Sequence, residues 1–120
     1  MKTLYTVEEL RAIAAEARVA ARDAADSYFD NNMNGQDCGA CGFSWVTVQG
    51  FQRAAIKGNT KLGKNMLAAG FGKDHVRRFR MWNPAQMPVQ SVDCLLAGSE
   101  AAARVLREYG FDAFADSRLD

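Results

Sequence analysis

The sequence has little of what membrane, secreted and strongly basic proteins need. Its 120 residues contain no run near the roughly 20 apolar residues that a membrane span requires. The beginning of the chain lacks the apolar segment of a secretory signal. The formal net charge is +1, too balanced for a protein whose whole surface binds a polyanion. We therefore expect one cytoplasmic domain over residues 1–120 with no membrane partner. The balanced charge disfavours a nucleic-acid partner without excluding one, and any phosphate site must be local.

Cysteine and histidine are also scarce, which weakens the case for a metal site. The chain has three cysteines and one histidine. Cys38 and Cys41 form a Cys-Gly-Ala-Cys turn, and His75 and Cys94 would complete four zinc ligands. The spacing is irregular, however, and a second paired motif is missing. We expect reduced thiols, no metal and no cofactor.

Catalytic signatures are absent as well. The sequence has no paired carboxylates in a plausible cleft and no serine in a nucleophile elbow. It has neither a dinucleotide-binding glycine motif nor a P-loop, although residues 57–64 imitate P-loop composition. A dyad of Cys38 or Cys41 with His75 stays open, because such partners meet only in the fold. We expect a binding protein and not an enzyme.

The order of predicted elements indicates the fold class. Thr6 and Glu9 form a capping box that opens a long alanine-rich helix of about 22 residues. Turn residues, β-branched runs and capping residues then predict the remaining elements: a strand 42–49, an additional strand near 51–56, a helix from 61 to about 69, a strand 76–83, a helix starting at Ser91 or Asp93 and ending at Tyr109, and a strand 111–115. This order predicts an α+β fold, a small mixed or antiparallel sheet packed by a long N-terminal helix and a C-terminal helix.

A stripe of mostly small residues runs along the first predicted helix at spacings of three or four. The stripe consists of Leu10, Ile13, Ala17, Ala21, Ala24 and Tyr28. Small side chains allow another element to approach closely. Two interpretations follow, namely that the helix covers the sheet of its own chain or that the stripe forms a contact between copies in a homo-oligomer.

The segment 76–83 is the strongest functional signal, because arginines alternate there with aromatic residues. Alternation in a strand sends Arg78, Arg80 and Trp82 to one face and Arg77, Phe79 and Met81 to the other. Guanidinium groups bind phosphate oxygens in a forked geometry, and indole rings stack on bases. The pattern predicts a nucleotide or nucleic-acid ligand, with a solvated basic face as the structural alternative.

Several motifs together resemble small phage-encoded proteins. These are Cys-Gly-x-Cys-Gly-Phe-x-Trp-Val at 38–46, Lys-Gly-Asn-Thr-Lys-Leu-Gly-Lys at 57–64, Trp-Asn-Pro at 82–84, Gln-x-Val-Asp at 90–93 and the closing Ser-Arg-Leu-Asp. Within that class the chain looks most like the Thoeris anti-defence family, oligomeric sponges that sequester cyclic ADP-ribose signals made by a bacterial immune system. The resemblance implies a homo-oligomer in the cytoplasm of an infected bacterial host.

The resemblance also implies which residues would bind each part of the ligand. Phe79 or Trp82 would stack on adenine, and Gln90, Ser91 or Asp93 would hold ribose hydroxyls. The pyrophosphate would be bound by arginines, with Arg78 and Arg80 from the strand and Arg107 and Arg118 from the last helix and the tail or from a neighbouring copy.

Three alternatives remain open at the level of sequence. A nucleic-acid-binding or nucleic-acid-mimicking inhibitor of a host defence system would use the same arginines. A small nucleotide-processing enzyme would need cysteine or histidine chemistry. An interaction module would set the basic face against an acidic protein.

Overall fold

The computed structural model describes residues 4–74 and 76–120, in which three helices accompany a five-stranded antiparallel sheet. The elements in chain order are α1 Val7–Asn32, β1 Gly42–Phe51, β2 Ala54–Ala55, α2 Lys61–Ala68, β3 Gly72–Lys73, β4 Phe79–Trp82, α3 Val92–Glu108 and β5 Phe111–Leu119. This arrangement confirms the predicted α+β class, a small antiparallel sheet packed by a long N-terminal helix and a C-terminal helix.

Capping residues begin the helices where the sequence predicts. Thr6 accepts a hydrogen bond from the Glu9 amide, and the Glu9 carboxylate accepts one from the Thr6 amide, so the capping box is formed. Thr60 caps α2 and Ser91 caps α3, each accepting a bond from a backbone amide three residues later. Of the two predicted caps for α3, Ser91 is therefore the one used.

The small-residue stripe of α1 packs inside the chain. Ala17 and Ala21 are fully buried, and α1 lies along α3. Gly98 of α3 sits so close that a Cβ there would lie 3.0 Å from the Ala21 carbonyl oxygen. The stripe as a contact between copies is therefore wrong, because α3 of the same chain already occupies it.

Strand β1 is the centre of the sheet. It pairs with β5 from Gly42 opposite Leu119 to Phe51 opposite Phe111, with one irregularity at Gln49, where the register shifts. Its other edge pairs with β4 at residues 45–48 and with β2 at residues 50–51. The short β3 pairs with the outer edge of β4. The long strand β1 thus pairs with three other strands, β2, β4 and β5.

The strands depart from their predicted bounds: β1 extends to Phe51, β2 is confined to Ala54–Ala55, and β3 was not predicted. β4 begins only at Phe79, because Arg77 adopts a left-handed backbone with φ of 66° inside a tight turn. β5 continues to Leu119, well past the predicted end at Ala115, since the long β1 offers it hydrogen-bonding partners throughout. The pairing partner therefore decides how much of a weakly apolar segment becomes strand.

The core lies on one side of the sheet. Val46 and Val48 of β1 and Phe79 and Met81 of β4 are almost completely buried there, beneath α3 and α1. The buried Ser44 hydroxyl donates to the Asp116 carbonyl at 2.8 Å and accepts from the Ser99 hydroxyl of α3 at 2.7 Å, and so links sheet and helix. The other side chains of these strands point to the opposite face, which is where the candidate site lies. No helix in the described residues is long and apolar enough to cross a membrane.

Candidate functional site

Aromatic and arginine side chains share the sheet face that points away from the helices. Phe43 and Trp45 come from β1, Arg80 and Trp82 from β4, and Arg118 from β5; we call these five the aromatic–arginine face. Strand alternation puts them there, because Ser44, Val46, Phe79 and Met81 between them point into the core. Cross-strand register then makes them neighbours, with Trp45 opposite Trp82 and Phe43 opposite Arg118.

The three aromatic rings form one continuous surface. The rings of Trp45 and Trp82 stack with centroids 5.5 Å apart and an interplanar angle of 11°. Phe43 lies 5.8 Å from the Trp82 ring at a tilt of 32°. Trp82 nevertheless keeps 43% of its surface exposed. A flat, partly exposed aromatic surface of this kind offers stacking area to a planar ligand.

Two guanidinium groups are held over these rings. The Arg80 guanidinium carbon lies 5.0 Å from the Trp82 ring centroid, and that of Arg118 lies 5.4 Å from the Phe43 centroid. Such cation–π contacts order the side chain without using its N–H donors. Among residues 4–74 and 76–120, neither guanidinium has a carboxylate or carbonyl partner. Both groups remain able to donate to an anion.

A third arginine is fixed by the turn between β3 and β4. The Asp74 carboxylate accepts hydrogen bonds from the amides of Val76 and Arg78 and, at 2.9 Å, from Nε of Arg78. Burial raises the pKa of the Asp74 carboxyl, but these hydrogen bonds outweigh it and hold that pKa below its ordinary value. Asp74 is therefore ionised at neutral pH and positions Arg78 at the end of the face.

Aromatic and charged groups converge on one open cavity of about 330 Å³. It is lined by Trp45, Asp74, Arg78, Arg80, Trp82 and Arg118. Four residues predicted from sequence are brought together here, namely Arg78, Arg80, Trp82 and Arg118. The cavity can accept a phosphate group on its arginines and a planar ring against its indoles.

The other predicted residues lie elsewhere. Phe79 is only 1% exposed and points into the core, because it alternates with Arg80 along β4. It does not reach the face on which Trp82 lies, so stacking of a ligand on Phe79 is excluded in this fold. Arg107 donates to the Ala113 carbonyl at 2.9 Å and does not line the cavity.

The segment before α3 does not line the cavity either. Ser91 is buried as the helix cap, and the amides of Gln90 and Ser91 donate to the Asp37 carboxylate. Gln90 lines a separate concavity of about 290 Å³ beside Cys41, whose thiol donates to the Gln90 side chain. Asp93 is exposed in the first turn of α3. Gln90 and Ser91 thus join the segment 37–42 to the beginning of α3.

The structure adds three residues that the sequence analysis did not assign to the site. Trp45 and Phe43 share one face of β1 by strand alternation, but their approach to Trp82 depends on the pairing of β1 with β4. In the sequence, Asp74 stands out only as the single acidic residue between Lys57 and Arg80. Its role follows from the tight turn that carries Arg78.

Metal-ligand geometry is not formed by the part of the chain that the structure describes. No three His, Cys, Asp or Glu side chains of residues 4–74 and 76–120 are grouped to hold an ion. The Cys94 thiol is buried and donates to the Ala25 carbonyl, whereas Cys38 and Cys41 are exposed. Burial raises the pKa of the Cys94 thiol, with the Asp37 and Asp26 charges adding to the shift. His75, the fourth ligand considered, lies outside the described residues.

The site thus combines an exposed aromatic surface with three arginines. The Asp74 carboxylate in its lining is already engaged, and Asp116 of β5 lies on the same sheet face opposite Trp45. This combination favours recognition of a planar, anionic ligand over acid–base chemistry. A comparison of the chain with protein-family models, with curated proteins and with solved structures finds no match.

Proposed function

We propose that the protein binds a small nucleotide on the aromatic–arginine face and holds it without chemical change. The observation that carries this proposal is the convergence of Arg78, Arg80 and Arg118 with stacked Trp45 and Trp82 around one cavity. Guanidinium groups bind phosphate oxygens, and the indole surface takes the base. A nucleotide supplies both groups at adjacent positions.

Binding without turnover is supported by the chemistry of the lining. The six lining residues include no cysteine, serine or histidine that would act as a nucleophile or base. The Asp74 carboxylate accepts three hydrogen bonds and has a lowered pKa, so it is a poor proton acceptor at neutral pH. The site is therefore suited to sequestration.

The resemblance to the Thoeris anti-defence family makes the proposal more specific. The ligand would be a cyclic ADP-ribose-type signal, and the protein a homo-oligomeric sponge acting in the cytoplasm of an infected bacterium. In that assembly Arg107, which lies away from the cavity of its own chain, would have to act from a neighbouring copy. The alanine stripe of α1 is not the assembly contact, since it is buried against α3.

Calorimetry with a cyclic ADP-ribose isomer tests this function. We expect Arg80→Ala to weaken binding by about ten- to a hundredfold, because it removes a charge-assisted phosphate contact. Trp82→Ala should cost on the order of 1–3 kcal/mol of stacking. Arg104→Ala, an exposed arginine on α3, is the matched control and should leave affinity unchanged.

The ligand recovered after denaturation distinguishes binding from catalysis. Intact ligand supports sequestration, and degraded ligand would move the protein into the enzyme class. If the wild-type protein binds no cyclic ADP-ribose isomer, the sponge proposal is wrong.

A second candidate is single-stranded nucleic acid, and the openness of the sheet favours it. The side chains of the face follow one another across β5, β1 and β4, from Arg118 over Phe43 to Trp82, and do not enclose a closed pocket. Successive bases can stack on such a surface while arginines follow the backbone. Titration of a labelled oligonucleotide at several salt concentrations tests this candidate, which requires a steep loss of affinity with salt.

A further inference from the structure

A second concavity, of about 460 Å³, lies between the loop after β2 and the β3–β4 turn. It is lined by Ile56, Lys57, Gly58, Asn59, Lys73 and Arg77, and we call it the basic cleft. None of these residues lines the cavity on the aromatic–arginine face. The two concavities therefore represent separate sites on the molecule.

The basic cleft is lined by three cations and no carboxylate. Within residues 4–74 and 76–120, Lys57, Lys73 and Arg77 form no ion pair. Cations gathered around one concavity repel each other and create a positive potential inside it. A bound anion relieves that repulsion.

Lys73 is held in place at this cleft. Its ammonium lies 5.3 Å from the Phe79 ring centroid, a cation–π contact with a side chain anchored in the core. It also lies against the backbone of Gly58, where a Cβ would collide with Nζ. The glycine thus provides the room that the ammonium occupies.

The β3–β4 turn directs two consecutive arginines to different sites. Asp74 binds the amide and Nε of Arg78 through its carboxylate, and that arginine lines the cavity on the face. The Asp74 carbonyl accepts a hydrogen bond from the Arg77 amide at 3.0 Å, and Arg77, with φ of 66°, lines the basic cleft instead. The turn supplies one guanidinium to each concavity.

We propose that the basic cleft binds a diphosphate or longer phosphate chain. Three cations match the charge of such a group, and the fork of Arg77 and the point charges of Lys57 and Lys73 are suited to phosphate oxygens. The side chain of Asn59 adds an uncharged polar group to the lining. This site goes beyond the proposed nucleotide site and does not depend on it.

Calorimetry with inorganic pyrophosphate at low salt tests the proposal. Lys57→Gln combined with Lys73→Gln should weaken binding by at least about tenfold, because two charge-assisted contacts are lost. The control combines Lys64→Gln with Arg104→Gln, two exposed cations outside the cleft that give the same change in net charge. The control should stay within about twofold of wild type, since only long-range charge is altered.

Tryptophan emission separates this site from the aromatic–arginine face. Both tryptophans of the chain, Trp45 and Trp82, lie on that face. Pyrophosphate in the basic cleft should leave their emission unchanged while shifting the amide resonances of Gly58 and Asn59 in the wild-type protein. This second measurement holds even if the double variant fails to fold.

Three outcomes would overturn the proposal: no pyrophosphate binding by wild type, equal weakening in the control, or loss of binding in Arg80→Gln with Arg118→Gln instead. Adenosine diphosphate serves as a second probe. Affinity equal to that of pyrophosphate supports recognition of the phosphate chain alone, and tighter binding with unchanged tryptophan emission supports a nucleotide as its source. Failure of the nucleotide site leaves the pyrophosphate result unaffected, because the two sites share no lining residue.

Discussion

At the scale of single residues, Asp74 fixes the β3–β4 turn and the position of Arg78. Its side chain is 7% exposed and binds three donors in the β3–β4 turn. Hydrogen bonds to an ionised group are stronger than those between neutral groups. The carboxylate therefore stabilises the turn and orients Arg78 at once.

This arrangement predicts a pH dependence. Because the pKa of Asp74 is lowered in the folded protein, the unfolded chain takes up the proton first as pH falls. The stabilisation is fully present above the ordinary aspartate pKa of about 4 and is lost as pH falls through the folded-state value. Asp74→Asn should lower the free energy of unfolding by about 1–3 kcal/mol at pH 7 and reduce its dependence on acid.

Urea unfolding at pH 7 and at pH 3 measures both effects. Asp23→Asn is the control, because Asp23 is exposed on α1, and we expect its change to stay within about 0.5 kcal/mol. An Asp74→Asn variant as stable as wild type at pH 7 would contradict the role given to the carboxylate.

At the scale of elements, the contact between α1 and α3 depends on small residues on both helices. Ala21 is fully buried, and a Cβ added to Gly98 would lie only 3.0 Å from the Ala21 carbonyl oxygen. A larger side chain at Ala21 has no space, so it would force the helices apart. This close approach is what the alanine stripe provides.

Ala21→Leu should therefore destabilise the protein by about 1–3 kcal/mol through overpacking. Ala15→Leu makes the same change at an exposed position of the same helix and should stay within about 0.5 kcal/mol of wild type. Alanine and leucine have similar helix propensities, so the difference between the variants reports packing. Thermal unfolding followed by circular dichroism measures it, and equal midpoints would refute the packing argument.

At the scale of the whole molecule, α3 packs on β1 and β5 and α1 packs on α3, which leaves the aromatic–arginine face open. A ligand that binds only the folded state stabilises the whole domain. At a free concentration of about 100 times Kd, a nucleotide should raise the free energy of unfolding by about 2.7 kcal/mol. Thermal shifts for wild type and Trp82→Ala at equal ligand concentration test this, and identical shifts would argue against binding at the face.

Self-association also belongs to this scale and stays a prediction. A sponge assembled from several copies should show a multiple of the 13.2 kDa chain mass in light scattering at micromolar concentration. A monomer under those conditions would remove the oligomer from the proposed function without affecting either binding site.

The sequence by itself determined the features that depend on neighbours along the chain. The Thr6–Glu9 capping box, the caps at Thr60 and Ser91 and the opposite faces of Arg80 and Phe79 all follow from local hydrogen bonding and strand alternation. These are contacts over a few residues, so the order of side chains is enough to specify them.

Only the tertiary structure decided which side chains from different strands become neighbours on the sheet. The stacking of Trp45 on Trp82, the position of Arg118 over Phe43 and the length of β5 depend on which strands pair with β1 and in what register. The same holds for Gln90, Ser91 and Asp93, which lie just before α3 and in its first turn, away from the cavity. A single sequence contains the alternation of each strand but not the choice of its neighbour, because that choice is made by packing many distant residues around one core.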